Sequence, residues 1–199
     1  MSDSKADKEK DIKAAIYRGE SITLMEPLLI GESSRHRAAL TDMVIDLVAK
    51  ASGFRRSLPE GVRTALADLV RAMNCYYSNL IEGHDTHPVD IERALNNDYS
   101  SDVRKRNLQL EAIAHIGVQR WIDEGGLQGH AITVDGICKI HRHFTKLLPE
   151  DLLWVDEPET GARLQLIPGG LRQRDVSVGQ HIPISPAAIP RFLMAFEQA

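Results

Sequence analysis

The fold is decided by residues 57–83, which read SLPEGVRTALADLVRAMNCYYSNLIEG. Apolar side chains recur there at three- and four-residue spacing, which is typical of a helix with one buried face. Ser57 and Glu60 match a capping box at the start, and Gly83 is a typical helix stop. The segment therefore predicts a long amphipathic helix, with a stripe formed by Val62, Leu66, Leu69, Val70, Met73, Tyr77, Leu80 and Ile81.

Further helices are predicted on both sides of this segment. Before it, apolar residues between Leu40 and Ala51 follow the same spacing, and Ser33 or Ser34 is the expected N-cap. After it, Thr133 and Ser185 are the expected N-caps of two later helices. The chain should therefore be mainly α, with later helices near residues 86–95, 103–124, 133–148 and 185–199.

The helical period gives way to alternation after residue 161. Residues 162–167, ARLQLI, and residues 172–178, RQRDVSV, flank the turn signal Pro168-Gly169-Gly170. Alternating side chains on both sides of such a turn indicate a β-hairpin. We therefore expect one short hairpin in an otherwise helical chain.

Composition and charge disfavour several classes of protein. Of the 199 residues, 43% are hydrophobic and 26% are charged, which is the balance of an ordinary globular domain. The net charge of −4 disfavours a nucleic-acid partner, because neutralising phosphates needs a basic excess. No apolar run approaches the ~18 residues that span a bilayer, so no membrane partner is expected.

The two cysteines, Cys75 and Cys138, lie in helical patterns with apolar neighbours. We interpret them as reduced core thiols rather than as a disulfide or a nucleophile. Reduced thiols are typical of the cytoplasm, which is the compartment that we predict. The polar, charged first ten residues do not resemble a signal peptide.

Two histidine pairs are candidate metal ligands. His141 and His143 lie two residues apart on a predicted helix, so their side chains diverge and cannot chelate one ion. His84 and His87 flank a helix junction, but no third soft ligand lies near them in sequence. We favour a partly buried His141, a surface His143 and surface or capping roles for the other pair, and we predict no metal site.

Glu82 is the most informative polar residue of the chain. It lies one residue before Gly83, at a helix end where the dipole disfavours a carboxylate unless a cation meets it. Ser78 lies four residues earlier, so the two side chains share a face. The residues alone leave two interpretations open: a solvated surface glutamate, or a carboxylate that receives a cation from elsewhere.

Residues 78–83, SNLIEG, resemble the inhibitory motif of Fic proteins, (Ser/Thr)-x-x-x-Glu-(Gly/Asn). Residues 84–95, HDTHPVDIERAL, are similar to the run that follows that motif in the family. Residues 169–179, GGLRQRDVSVG, resemble the family's flap, and residues 189–194, IPRFLM, resemble the helix after it. The resemblance covers about residues 25–199 and implies an incomplete Fic-like helical bundle whose hairpin is the flap.

The resemblance also implies three parts of the chain. Residues 1–25 would be a polar N-terminal extension. Residues 26–98 would be an N-terminal helical region with the inhibitory helix, and residues 99–199 would be the first part of the Fic core, including the flap.

Particular residues receive roles from the same resemblance. Glu82 would pair with a catalytic-loop arginine that otherwise holds the γ-phosphate of ATP, and Ser78 and Gly83 would complete the inhibitory motif. A bidentate arginine–carboxylate pair competes directly with an arginine–phosphate contact. The flap would add a short strand to a target protein through its backbone edge. Its residues here are Gly170, Leu171, Arg172, Arg174, Val176 and Val178.

The family's catalytic loop, His-x-Phe-x-(Asp/Glu)-Gly-Asn-Gly-Arg, does not occur in the sequence. Residues 141–148, HRHFTKLL, begin like it but lack the glycines whose amides would cradle phosphate. The last predicted helix reaches Ala199 without a stop signal, which indicates that the loop follows further on. We therefore expect no catalytic residues in this chain, and ATP and Mg²⁺ should bind only the complete protein.

Three hypotheses for the function remain open. In the first, the chain is the N-terminal part of an autoinhibited adenylyltransferase that moves AMP from ATP to a Ser, Thr or Tyr hydroxyl of a target protein. In that form a second copy of the chain is a further candidate partner. In the second, the chain is a helical module that presents Glu82 to a separate Fic catalytic chain. A helical DNA-binding protein is the least favoured, because no basic recognition helix stands out.

Overall fold

The computed structural model describes residues 17–25, 30–84, 86–156, 161–177 and 180–198. These residues form a mainly helical chain with one small antiparallel sheet, as the sequence predicts. The α-helices are α1 (Arg37–Ser57), α2 (Glu60–Ile81), α3 (Pro88–Leu95), α4 (Val103–Asp123), α5 (Val134–Leu147) and α6 (Ile189–Gln198). The strands are β1 (Trp154–Asp156) and β2 (Arg163–Gln165), and 3-10 turns cover Ile22–Met25, Glu150–Leu153 and Pro186–Ala188.

The chain divides into two compact units. One unit comprises Leu28–Ile116, and the other comprises Met1–Pro27 together with Gly117–Ala199. The division therefore falls within α4. None of the helices in the described ranges is long and apolar enough to cross a bilayer.

The core of the unit Leu28–Ile116 lies where α2, α3 and α4 meet. Cys75, Ile91, Ala112 and Ile116 are all buried there. The Cys75 sulfur lies 3.8 Å from the carbonyl oxygen of Ala112, and burial raises the pKa of this thiol to about 11. Both cysteines are free thiols, with Cys75 buried and Cys138 half-buried.

A buried glutamine joins α3 to α4 in the same unit. Gln109 accepts a hydrogen bond from the amide of Ser100 at 2.8 Å and donates to the carbonyl of Asp90 at 3.0 Å. Because its amide is satisfied on both sides, Gln109 can be 1% exposed without an unpaired polar group.

In the other unit, α5 contacts α6, and Phe192 of α6 is buried. The carboxylate of Glu197 on α6 accepts a hydrogen bond from the amide of Val134, the first residue of α5, at 3.0 Å. A carboxylate at a helix N-terminus satisfies a free amide and complements the helix dipole. This contact fixes the end of α6 against the start of α5.

Two predicted helix signals are confirmed. The Thr133 hydroxyl caps α5, since it accepts a hydrogen bond from the amide of Gly136 at 2.9 Å. Gly83 ends α2 with a φ of 74°, the left-handed conformation that glycine adopts most readily.

The predicted capping box at Ser57 and Glu60 is wrong. α1 continues through Ser57, whose hydroxyl donates to the carbonyl of Phe54 at 2.8 Å, and Pro59 takes the position before α2. The reason lies in Leu58, which precedes a proline and is therefore restricted to extended backbone, with ψ at 132°. The break falls at Leu58, so Ser57 has helical rather than capping geometry.

The other serine caps also differ from the prediction. α1 starts at Arg37, and its capping residue His36 makes no side-chain cap bond. Ser34 accepts a hydrogen bond from the His36 amide at 3.3 Å, which forms a local turn before the helix. Ser185 precedes the 3-10 turn Pro186–Ala188 rather than α6, and its hydroxyl contacts a glutamate far away in sequence.

The predicted hairpin is replaced by a different strand pair. β2 lies within the first predicted strand, but it pairs with β1, with Val155 opposite Leu164. Residues 171–177 form no strand. The turn itself forms, because the amide of Gly170 donates to the carbonyl of Ile167 at 2.8 Å. After the turn, the chain does not return along β2.

The guanidinium of Arg172 holds the residues after the turn away from β2. It donates to the carbonyl of Arg174 at 2.8 Å and to the carbonyl of Ile184. These two bonds hold the segment after the turn beside the chain that leads to α6. The second predicted strand is therefore tied by a side chain instead of by a ladder with β2.

Candidate functional site

Residues 78–83, which resemble the inhibitory motif, form the C-terminal end and cap of α2. The amide of Glu82 donates to the carbonyl of Ser78 at 3.2 Å, the amide of Gly83 to that of Leu80 at 3.1 Å, and the amide of His84 to that of Asn79 at 2.8 Å. The last two bonds are the pair that defines a Schellman cap. The sequence Glu-Gly at this helix end therefore has a local structural cause.

The side chains of Ser78 and Glu82 are both exposed. Neither the hydroxyl nor the carboxylate has a hydrogen-bond or ion-pair partner among the residues that the structure describes. The carboxylate thus lies at the negative end of the 22-residue helix α2, and no cation among the described residues contacts it. This arrangement leaves Glu82 able to receive a guanidinium from outside the described residues.

A second glutamate–glycine cap in the chain has the same backbone geometry. At the end of α4, the amide of Glu124 donates to the carbonyl of Arg120, and the amides of Gly125 and Gly126 repeat the Schellman bonds at 2.9 Å each. The sequence differs at one informative position, because Arg120 stands where Ser78 stands in the first cap. The backbone alone therefore does not distinguish an inhibitory glutamate from an ordinary cap.

Two histidines follow the motif, one after the end of α2 and one before the start of α3. His84 is exposed, and the amide of His87 donates to the carboxylate of Asp90 at 3.4 Å, at the start of α3. Asp85 lies outside the described residues. No group of three or more potential metal ligands occurs in the part of the chain that the structure covers.

Thr86 is an unexpected feature beside the motif. It is 3% exposed, and its hydroxyl has no hydrogen-bond partner among the residues that the structure describes. The sequence predicts this threonine only as the start of a helix. Its burial shows that the chain turns inward between the exposed end of α2 and the start of α3.

The predicted flap turn is anchored to α5. The amide of Gly169 donates to Nδ1 of His141 at 3.0 Å, so this ring nitrogen is an acceptor. Gly169 has a φ of 76°, and a Cβ there would lie 2.9 Å from both Nε of Arg142 and the carbonyl oxygen of Cys138. The half-buried His141 thus has a structural role, in agreement with the prediction.

The prediction that His143 lies on the surface is wrong. It is half-buried and stacks on Trp121, with the ring centroids 4.4 Å apart and the planes 9° from parallel. The imidazole and the indole belong to α5 and α4. Spacing on one helix could not reveal this contact, because its partner lies on another helix.

The predicted target-binding residues have unequal exposure. Gly170, Leu171 and Val176 are exposed, whereas Arg172 and Arg174 are half-buried. Arg172 is engaged with two backbone carbonyls, as described above. Val178 lies outside the described residues. The exposed residues of this region are therefore Gly170, Leu171, Gln173 and residues 175–177.

The first described residues form a polar cluster that sequence reasoning missed. The carboxylate of Glu20 accepts hydrogen bonds from the amide of Ser185 at 2.6 Å, from its hydroxyl at 3.1 Å and from the amide of Arg18 at 3.2 Å. Arg18 also pairs with Asp175 at 3.0 Å and donates to the carbonyl of Pro183 at 2.7 Å. These contacts tie residues predicted as an extension to the segment before α6.

Hydrogen bonding dominates the acidity of Glu20. Burial raises the pKa of this carboxyl, but hydrogen bonds from the amide of Ser185, from the backbone amide of Glu20 itself, from the Ser185 hydroxyl and from the amide of Arg18 together lower it to about 2.

A second contact of the cluster joins Tyr17 to α6. Arg191 donates to the Tyr17 hydroxyl at 2.7 Å and lies over the Tyr17 ring at 4.7 Å. No local pattern could have indicated the cluster, because its partners lie more than 150 residues apart.

Residues 78–83, which resemble the inhibitory motif, belong to the unit Leu28–Ile116, and residues 169–179, which resemble the flap, fall in the unit that contains Gly117–Ala199. Comparison of the chain with protein-family models, with curated proteins and with solved structures finds no match in any of the three. The resemblance to Fic proteins therefore rests on the residues of the motif, the flap and the helix after it.

Proposed function

We propose that this chain is the inhibitory and target-binding portion of a Fic-type protein adenylyltransferase. The proposal rests on the exposure of the Glu82 carboxylate. Its carboxylate is exposed at the end of α2 and has no partner among the described residues, while Ser78 and Gly83 complete the motif around it.

Electrostatics favours a cation at this position. The last carbonyls of a helix carry a partial negative charge, and Glu82 adds a full one. An arginine is the best-matched partner, because its planar guanidinium can donate two parallel hydrogen bonds to one carboxylate. The carboxylate at the end of α2 would therefore attract a catalytic arginine strongly once that arginine comes within reach.

Inhibition follows from competition for the arginine. In the proposed enzyme, the guanidinium can hold either the γ-phosphate of ATP or the carboxylate of Glu82. When Glu82 holds it, the nucleotide loses a charge-assisted contact and its α-phosphate is not aligned with the target hydroxyl. The chain described here contributes the competing carboxylate, and residues beyond it would contribute the catalytic base and the metal ligand.

The flap region would contribute to binding the target protein. Residues 175–177 are exposed and belong to no strand. Such a segment can pair with an extended target chain through its backbone groups. Arg172, which secures the same segment to the carbonyl of Ile184, would act as a positioning residue.

Titration of the chain into a separate Fic catalytic chain tests whether Glu82 acts between molecules. The readout is the transfer of labelled AMP from ATP to a target protein. The wild-type chain should lower the transfer, and Glu82→Ala should lower it at least about tenfold less effectively, which is the value of one charge-assisted pair. Glu124→Ala is the matched control, because this glutamate occupies the same kind of cap.

The same titration separates the two forms of the proposal. Inhibition by the wild-type chain that Glu82→Ala abolishes would support a stand-alone inhibitory module. Inhibition that appears only when the chain is joined to the catalytic loop would support autoinhibition within one protein. Equal effects of Glu82→Ala and Glu124→Ala in both formats would contradict the proposal.

A further inference from the structure

The turn at residues 168–170 is attached to α5 through a histidine ring. The amide of Gly169 donates to Nδ1 of His141 at 3.0 Å, and this bond joins residues that lie 28 positions apart. The turn itself is closed by a separate bond, from the amide of Gly170 to the carbonyl of Ile167 at 2.8 Å. The attachment to the helix differs from the closure of the turn because its acceptor can take up a proton.

Only a neutral imidazole can accept this hydrogen bond. Neutral histidine has one ring nitrogen with a proton and one without, whereas both nitrogens carry protons in the cation. Protonation of Nδ1 would therefore set two N–H groups against each other, where Nδ1 and the amide nitrogen are now 3.0 Å apart. Histidine is the residue type that changes its charge between about pH 5 and pH 8. The bond thus exists with the neutral ring and is lost with the charged one.

The groups that face the turn do not favour a charged ring beside it. Residues 164–171, LQLIPGGL, contain no ionisable side chain, so the turn supplies no carboxylate. On α5, the guanidinium of Arg142 lies against the turn, with Nε 2.9 Å from the place that a Cβ on Gly169 would take. A charged His141 would therefore put a second cation beside the amide that the neutral ring had accepted from.

The carboxylates on the elements around His141 are directed to other partners. α4 contacts α5 through the ring of Trp121, and α6 contacts α5 as well. Asp135 is paired with Lys139 at 2.6 Å, and Glu197 accepts from the first amide of α5. The ionisable side chains of these elements within this unit are Asp135, Cys138, Lys139, Arg142, His143 and Lys146 on α5, Arg120 and Asp123 on α4, and Arg191 and Glu197 on α6.

The Gly169 amide would be left without an acceptor if the turn stayed in place. Gly169 is half-buried, and its backbone approaches the carbonyl oxygen of Cys138 so closely that a Cβ there would lie 2.9 Å from it. An amide held against a helix without a partner is unfavourable, and water can pair with it only if the turn moves away. Protonation of the ring therefore favours detachment of the turn.

We propose that His141 and the Gly169 amide form a pH-sensitive latch, which holds the turn at residues 168–170 on α5 while the ring is neutral and releases it when the ring is protonated. Residues 171–177 follow directly and belong to no strand, so no ladder would hold them in place after the turn detaches. The inference does not depend on the proposed function.

Amide hydrogen exchange of the full chain, followed by NMR from about pH 8 to pH 5, tests the latch. The measured quantity is the protection of the Gly169 amide, which is its exchange rate in the unfolded chain divided by its rate in the folded chain at the same pH. Loss of one hydrogen bond should lower this protection about tenfold over the range. The decrease should follow the protonation of the His141 ring, which the carbon-bound ring protons report in the same samples.

His141→Asn separates the titration from the packing. The side-chain oxygen of asparagine can take the place of Nδ1 as an acceptor, but it does not titrate in this range. The protection of the Gly169 amide in this variant should therefore stay constant from about pH 8 to pH 5. His143→Gln is the matched control, because it removes a histidine of the same helix that stacks on Trp121 instead of binding the turn. It should keep the wild-type response.

Two results would overturn the inference. One is a wild-type protection of Gly169 that stays constant while the His141 ring becomes protonated, and this result decides the question even if asparagine does not restore the bond. The other is a pH response that persists in His141→Asn, which would assign the response to a different group.

Discussion

Glu82 shows how far a single residue can be interpreted from sequence. Its position before Gly83 and its place at a helix end were predictable, because glycine in the left-handed conformation ends helices. Its exposure agrees with both interpretations that the sequence left open. Glu124 adopts the same cap without the serine four residues before it. What distinguishes Glu82 is therefore the identity of its neighbours, and that information resides in sequence rather than in backbone geometry.

The carboxyl of Glu20 should make stability depend on pH. Because its pKa is lowered from 4.5 to about 2 in the folded chain, the contribution is fully present above the unfolded value and disappears as the pH falls towards 2. Glu20→Gln should lower the Tm by a few degrees at about pH 6, with a smaller difference at about pH 3. Thermal melting followed by circular dichroism at the two pH values measures both.

Asp175→Asn is the control for this prediction. It removes another carboxylate that Arg18 contacts, but its side chain is 48% exposed, against 12% for Glu20. The control should change the Tm less, because exposed ion pairs contribute little. A difference between wild type and Glu20→Gln that stays constant from about pH 6 to pH 3 would show that the carboxyl is not held in this way.

Gly169 should tolerate no side chain. It has a φ of 76°, and a Cβ there would approach Arg142 and the Cys138 carbonyl at 2.9 Å. Gly161 has a φ of 66° but nothing within 4 Å of the same position. Gly161→Ala should cost about 1 kcal/mol of unfolding free energy from the backbone alone, and Gly169→Ala about 2 kcal/mol or more. Urea denaturation gives both values, and equal losses would refute the close contact.

At the level of the elements, the helices were predictable and their caps were only partly so. The stripe on α2 and the glycine at its end are local signals, and they suffice to locate a helix. The predicted burial of the stripe is wrong, because all its residues except the half-buried Met73 are exposed, and Cys75 is the buried residue of α2. The failure at Ser57 arose because the proline two residues later restricts Leu58, and this effect outweighs the capping preference of serine.

The two predicted caps lead to opposite expectations. Thr133→Ala should lower the unfolding free energy by about 1 kcal/mol, because it removes the acceptor of the Gly136 amide. Ser57→Ala should change it by less than about 0.5 kcal/mol, since Ser57 caps no helix. Denaturation of the two variants under the same conditions compares them. A larger loss at Ser57 than at Thr133 would support the sequence-based cap over the one in the structure.

The strands could not be paired from sequence. The apolar run that ends in Trp154 and Val155 has the composition of a strand, and recognising it would have supplied β1. The turn at residues 168–170 suggested instead that β2 pairs with the residues after it. The deciding contact, from Arg172 to the carbonyl of Ile184, joins residues that no turn rule connects.

For the whole molecule, the sequence predicted the mainly helical composition but not the division into two units. The polar cluster around Glu20 joins residues 17–20 to the segment before α6, so the start of the chain belongs to the same unit as its last helix. Interactions of this kind depend on the complete fold. For α1, by contrast, the spacing of the apolar residues is visible in the sequence. Only the structure shows that none of its 21 residues is buried.

The proposed inhibitory role of Glu82 is the central claim, and self-modification of a protein that joins this chain to a Fic catalytic loop tests it most directly. The measured quantity is the incorporation of labelled AMP for the wild type, Glu82→Gly and the matched cap variant Glu124→Gly. We predict at least about tenfold more incorporation for Glu82→Gly, because the arginine would be released for the γ-phosphate, and no increase for Glu124→Gly. Incorporation by Glu82→Gly that remains at the wild-type level would contradict it.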